Sequence, residues 1–271
     1  MVGRRSWVWG LGVVGCLGPN PAFDEPRDNG SGSGSAVSTD ASSSTTALET
    51  ASSDVSTTVD STGSTVDVSC DVGDPDLLLC FDFETLEDGQ LLDGSMYGHH
   101  ASALDVTLSS SPWGRAIATT DATRIEVECF EDCEASEGLT LEARVRLEAM
   151  PPQGQRIGVL DNDLEYAITY SRNDGLRCST GGGELTGPEL PLFEWVHVAC
   201  TYDGADIRAY IDGVEVASVN ENNAVGTGDP SPIAVANTAP NWNEPFIGAL
   251  DRVRVWRRAR SASEICDEFG C

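Results

Sequence analysis

The side chains able to do chemistry are few in kind. Every one of the 16 basic residues is arginine, set against 44 acidic residues for a formal charge of −28 over 271 residues. Without lysine there is no P-loop phosphate clamp and no Schiff base. So negative a surface repels nucleic acid. The three histidines, His99, His100 and His197, are too few for a multi-histidine zinc site or for several general bases. His197 alternates with Val196 and Val198 beside Trp195 and is expected as a packed structural residue. His99 and His100 fall in a Gly-flanked loop; neighbours on an extended chain point apart, so both are expected to be solvated. Asn241-Trp242-Asn243 combines an aromatic plane with two amides between Pro240 and Pro245, the chemistry that meets a sugar's apolar face and hydroxylated rim. A tryptophan covering a sheet edge is the competing reading of the same loop.

These residues must be positioned by the rest of the chain, which divides in three. Arg4-Arg5, the apolar run Trp7 to Val14 and Gly15-Cys16 form a short positive region, a hydrophobic region and a small residue before a cleavage point. The run is too short to cross a bilayer. Val13-Val14-Gly15-Cys16 resembles a bacterial lipobox, which implies cleavage before Cys16 and lipidation of that cysteine. Leu17 rather than Asp follows, so export to an outer membrane or the cell surface is expected, with membrane contact only through the lipid anchor. Residues 17–66 are dominated by Ser, Thr and Gly and cannot offset chain entropy by burial, so they read as a flexible tether. The folded unit is expected over 67–271.

Within that unit, short apolar runs alternate with Gly, Pro, Asn and Asp. Strands are expected at 77–83, 123–129, 139–147, 157–160, 166–170, 195–202, 207–211, 214–219 and 246–256. In Leu139-Thr-Leu-Glu-Ala-Arg-Val-Arg-Leu147 the odd positions are apolar and most even ones polar, the mark of a strand with one buried and one wet face. Asp203-Gly204 and Asp212-Gly213 read as tight turns with positive φ at both central residues, making residues 195–219 a three-stranded meander. One helix is expected, started by the capping box Ser261-Ala-Ser-Glu264 and carrying Ile265 and Phe269 on one stripe. The whole is an all-β protein, an antiparallel jelly-roll β-sandwich with a short C-terminal helix.

Phe81-Asp-Phe-Glu84, Leu92-Asp-Gly-Ser95, the 139–147 strand, Trp195-Val-His-Val-Ala199, Tyr202-Asp-Gly204, Tyr210-Ile-Asp-Gly213 and Phe246 through Trp256 resemble, in order, the blocks of LamG-like domains of the concanavalin A-like lectin/glucanase superfamily. The resemblance implies non-catalytic binding of an extracellular glycan or protein, with a passive spacer or adhesion element and a glycoside hydrolase as alternatives. Hydrolases of this superfamily commonly carry Glu-x-Asp-x-x-Glu on one strand. The nearest cluster here, Asp161-Asn-Asp-Leu-Glu165, has Val159 in the leading place and reads as an acidic loop, so no catalytic residue is assigned. Asp93 and Asp251 stand where similar domains hold a structural calcium; an Asx-turn at Asp93 and a buried hydrogen bond at Asp251 are the alternatives. With Cys16 assigned to lipid, eight cysteines remain for disulfides in an oxidising compartment. The expected pairs are Cys129 with Cys133 and Cys178 with Cys200. Cys70, Cys80, Cys266 and Cys271 would tie the chain ends together.

Overall fold

A computed structural model describes residues 70–223, 225–228 and 230–269. Cys16, the 17–66 tether and Cys271 lie outside the described residues. In chain order the strands are β1 (Leu77–Phe81), β2 (Leu86–Glu87), β3 (Gln90–Leu91), β4 (Ala101–Leu104), β5 (Thr107–Ser111), β6 (Gly114–Thr119), β7 (Arg124–Val127), β8 (Leu139–Leu147), β9 (Arg156–Asn162) and β10 (Tyr166–Ser171). Then follow β11 (Gly175–Ser179), β12 (Glu184–Thr186), β13 (Trp195–Tyr202), β14 (Asp206–Ile211), β15 (Val214–Asn220), β16 (Ile233–Val235), β17 (Gly248–Trp256) and the helix α1 (Ala262–Phe269).

The strands form two antiparallel sheets. One has eight strands in the order β15-β14-β13-β8-β17-β6-β5 with β1 beside β17; the other has nine, β12-β11-β10-β9-β16-β7-β4-β3-β2. Strand β17 pairs with β8 along its length, and on its other side first with β6 and then with β1. The handover falls at a bulge around Arg252, whose φ is 50°. Because side chains alternate along each strand, one face of each sheet turns inward. Both inward faces join a single core that includes Phe81, Leu141, Val145, Tyr166, Tyr170, Val198, Tyr202, Phe246 and Val255.

The meander forms as its turn residues require, with one difference. Asp212 and Gly213 both have positive φ, 49° and 77°, and close the two-residue β14–β15 hairpin. Between β13 and β14 only Gly204 has positive φ. There Asp203 turns the chain with its carboxylate, which accepts the Ala205 and Asp206 N–H groups at 3.0 and 2.9 Å. At the other end the capping box is reciprocal: Ser261 N–H donates to Glu264 Oε2 at 2.8 Å and Glu264 N–H to Ser261 Oγ at 3.3 Å.

The expected wet face of β8 is a correction. Thr140, Glu142 and Arg144 on that face are all buried, because α1 and its flanks lie over them. Arg144 donates to the Glu268 carbonyl, Thr140 to the Arg258 carbonyl, and Arg260 to Glu142. His197, 2% exposed, lies 3.7 Å from Glu142 Oε2 and stacks on Phe269 at 6.2 Å.

Among the described residues three disulfides pair: Cys70–Cys80, Cys129–Cys133 and Cys178–Cys200. Cys266 is also disulfide-bonded. Cys70 therefore bridges to Cys80 ten positions along rather than to the C-terminal segment. The chain ends are brought together instead by the β1–β17 ladder.

Candidate functional site, a polar groove on the nine-stranded sheet

Strands β9 to β12 place a row of outward residues across the nine-stranded sheet. Asp161 pairs with Ala167, Ala167 with Ser179, and Ser179 with Glu184. Beside it runs Thr169 opposite Arg177. The inward neighbours Leu160, Ile168, Tyr170, Leu176, Cys178 and Leu185 belong to the core, so the polar row is what the pleat leaves outside. Small side chains at Ala167 and Ser179 keep the middle of the row low.

Above this floor stands a groove of about 370 Å³, walled by Arg156, Asp163, Leu164 and the loop Gly181-Gly182-Gly183. The loop needs glycine at Gly181, where φ is +72° and a Cβ would strike the Leu164 carbonyl. On the β9 side the segment 237–244 lies against the same face. Gly158 leaves room for the Asn237 backbone, and Ala239 N–H donates to Asp161 Oδ2 at 3.2 Å.

The groove mixes donors and acceptors. Arg156 Nε donates to Glu244 Oε2 at 2.6 Å, and Arg177 pairs with Glu184. Arg177 Nε is buried with no hydrogen-bond partner among the described residues. Asp161 is 4% exposed, and burial pushes its carboxyl up to about 7. Arg156 and the Ala239 N–H oppose that rise, while Asp163 and Glu244 add to it. A smaller cleft of about 200 Å³ adjoins, lined by Met150, Pro151, Pro152, Glu244, Pro245 and Ile247, and it shares Arg156 with the groove.

The Asp161–Glu165 cluster, expected as an acidic loop, is a strand end, a turn and a buried carboxyl. Asp161 and Asn162 end β9, Asp163 and Leu164 make the turn, and Glu165 is buried and accepts Asn162 Nδ2–H at 2.8 Å. Three strand intervals separate the backbones of Asp161 and Glu184, about 14 Å.

Of the residues singled out from sequence, Asn243 lines the adjoining cleft and Asn241 is exposed. Trp242 is half-buried with φ 54°, its N–H held by the Thr238 carbonyl at 3.0 Å. The Arg124 guanidinium, itself bonded to Glu126, stacks 4.5 Å from the indole centroid. One ring face is therefore already taken.

Asp93 does not fit a cation site. Its Oδ1 accepts the Cys80 and Ser95 N–H groups at 2.8 and 2.9 Å, and its Oδ2 accepts Ser95 Oγ–H and His99 N–H at 2.7 and 2.8 Å. Four donors fill the lone-pair sites of one carboxylate, so Asp93 pins the 93–99 loop to β1. Asp251 accepts Ser111 Oγ–H at 2.7 Å; burial raises its pKa against the pull of Arg252 and Arg144. Two arginines facing one carboxyl make a poor calcium site. Among the described residues, no group of three or more His, Cys, Asp or Glu could hold a metal ion. The histidine loop is also more structured than expected: Asp93 N–H donates to His100 Nδ1 at 3.1 Å, and His99 stacks on Tyr97 at 6.1 Å.

Sequence reading missed Arg156, Thr169, Arg177, Ser179 and Glu184. Alternation in Leu176-Arg-Cys-Ser179 was the available signal, since it sends Arg177 and Ser179 outward together.

Two facing antiparallel sheets with a polar groove on one outer face define a lectin-like β-sandwich. Residues 118–266 match the Laminin_G_3 family model, described as concanavalin A-like lectin/glucanases superfamily, and the chain belongs to that superfamily. A comparison with curated proteins found no match. Among solved structures, the binding domain of Paraclostridial Mosquitocidal Protein 1 is similar at 17% identity and a TM-score of 0.59, over 72% of this chain and 52% of that one. This chain thus spans about half the length of the toxin domain. Domain 4 of AbnA, an extracellular arabinanase from Geobacillus stearothermophilus solved with arabinotriose, is similar at 19% identity and a TM-score of 0.56, over 71% of this chain and 97% of that one. Trypanosoma rangeli sialidase is similar at 16% identity and a TM-score of 0.56, over 73% of this chain and 33% of that one. These likenesses establish the fold, and the neighbours include binding domains.

Proposed function

We propose that this chain is a non-catalytic recognition module that binds an extracellular glycan in the groove between Arg156 and the 181–183 loop. The observation that carries the reading is the groove's lining. Hydroxyl, guanidinium and carboxyl groups from Thr169, Ser179, Arg177 and Asp161 converge on one trench, which suits a ligand that is itself both donor and acceptor. The arabinanase domain solved with arabinotriose supports a sugar ligand by likeness of fold. The disulfides fit an exported protein. In this reading Cys16 carries the lipid, residues 17–66 give reach, and the sandwich is presented at the outer membrane or cell surface.

A glycan array with the native chain and Ser179→Trp tests it. The indole would fill the trench floor without touching the core. Dose-dependent binding to native protein that the variant lacks is the expected result. Silence of the native chain across polysaccharides would favour a protein partner or a spacer, and hydrolysis of any array sugar would contradict the non-catalytic reading.

A further inference from the structure

Given the groove as the ligand site, we infer that it takes a neutral, hydroxyl-rich oligosaccharide and that Asp161 sets its affinity by accepting a ligand hydroxyl at Oδ1. The charges around the trench are already answered. Arg156 is held by Glu244 and Arg177 by Glu184, while Asp163 adds negative charge at the rim. A carboxylated or sulfated sugar would meet no spare cation there, on a chain already at −28.

Besides the Arg177 Nε donor, the trench has an unmet acceptor at Asp161. It is 4% exposed and lines the groove, and only its Oδ2 receives a described donor, the Ala239 N–H. From β10 and β16 it faces the uncharged Ala167 and Ala234; from β9, the β9–β10 turn and the 237–244 segment it faces Arg156, Asp163 and Glu244. A buried carboxylate with one oxygen unserved is costly, and an O–H···O⁻ bond from a sugar relieves that cost more than a bond to the neutral acid does. Ligand binding and ionisation of Asp161 therefore favour each other. Burial brings this carboxyl to titrate near about 7, which puts the coupling in the neutral range. Ligand uptake there releases a proton.

The test is titration calorimetry on the full chain with arabinotriose, xylotriose, maltotriose and cellotriose as neutral probes and sialyllactose and a heparin oligosaccharide as acidic ones. The expected result is a neutral probe bound about tenfold more tightly at pH 8 than at pH 5, the gap between a charge-assisted and a neutral hydrogen bond. Asp161→Asn keeps the shape and an acceptor for Ala239; it should flatten that pH dependence and leave the affinity at its low-pH level. Repeating the native titration near pH 7 in buffers of different ionisation enthalpy reads the proton release directly, whether or not the variant folds. An unchanged pH slope in Asp161→Asn, no proton release, or binding of the acidic probes alone overturns the inference. Ser179→Trp separates the levels. If it binds as well as the native chain, or if no probe binds the native chain, the groove reading has itself failed.

Discussion

Arg260 donates to the buried carboxylate of Glu142, tying the segment that leads into α1 to the middle of β8 across 118 positions of sequence. Arg254 Nη1 and His197 Nε2 lie 3.9 and 3.7 Å from the other oxygen of the same carboxylate. Burial alone would raise this carboxyl, but His197, Arg260 and Arg254 together outweigh it and hold the pKa at about 2, against an ordinary 4.5. Arg254 also reaches Glu268 at 2.7 Å, so the network fastens the last helix to the eight-stranded sheet.

A carboxyl depressed on folding contributes stability that is complete above its unfolded value and is lost as pH falls. For Glu142 that loss runs from 4.5 down to about 2, on the order of 3 kcal/mol. Glu142→Gln leaves the Arg254 and Arg260 guanidiniums facing an amide. It should cost roughly 3–5 kcal/mol near neutral pH and remove this part of the acid limb. Melting temperature against pH for both proteins checks it; parallel curves below pH 4.5 would contradict it.

Asp161 carries the opposite sign. Its carboxyl is raised from 3.8 to about 7, so the folded state prefers the proton, and stability declines as pH climbs through that interval. Asp161→Asn should therefore raise stability at pH 8 by on the order of 1–4 kcal/mol, read as a higher melting temperature, and change it little at pH 4. A variant less stable than native at pH 8 would show that the carboxylate is better served than its surroundings allow. A binding residue that costs stability in the free protein is the usual trade at a functional site.

The Cys178–Cys200 bridge joins β11 of one sheet to β13 of the other over 22 positions, with both sulfurs in the core. Loop-closure entropy for that span gives about 3 kcal/mol. Cys178→Ser with Cys200→Ser should lower stability by about that amount, while replacing Cys129 and Cys133, four positions apart, should cost less. Denaturant titration of the two double variants orders them; the reverse order would mean that the sheets are held by packing alone.

The long strands were legible because their alternation is strong: β8 and β13 begin and end where periodicity puts them. The short strands were not. Thr107–Ser111 in β5 has one large apolar residue and Ile233–Val235 in β16 spans three positions, so neither carries a measurable period. The groove escaped for another reason. Asp161-Asn-Asp reads locally as a turn, yet Asp161 lies in β9 and accepts the N–H of Ala239, 78 positions away. Trp242 was visible as an aromatic in a loop, but its Arg124 cover comes from β7, and only the fold brings the two together.

Backbone amide shifts on adding the tightest neutral trisaccharide to isotope-labelled protein test the recognition site most directly. Perturbations should centre on Asp161, Ala167, Thr169, Arg177, Ser179 and residues 181–183. Shifts confined to Asn241–Asn243, or to the strands of the eight-stranded sheet, would place the ligand elsewhere and contradict the account.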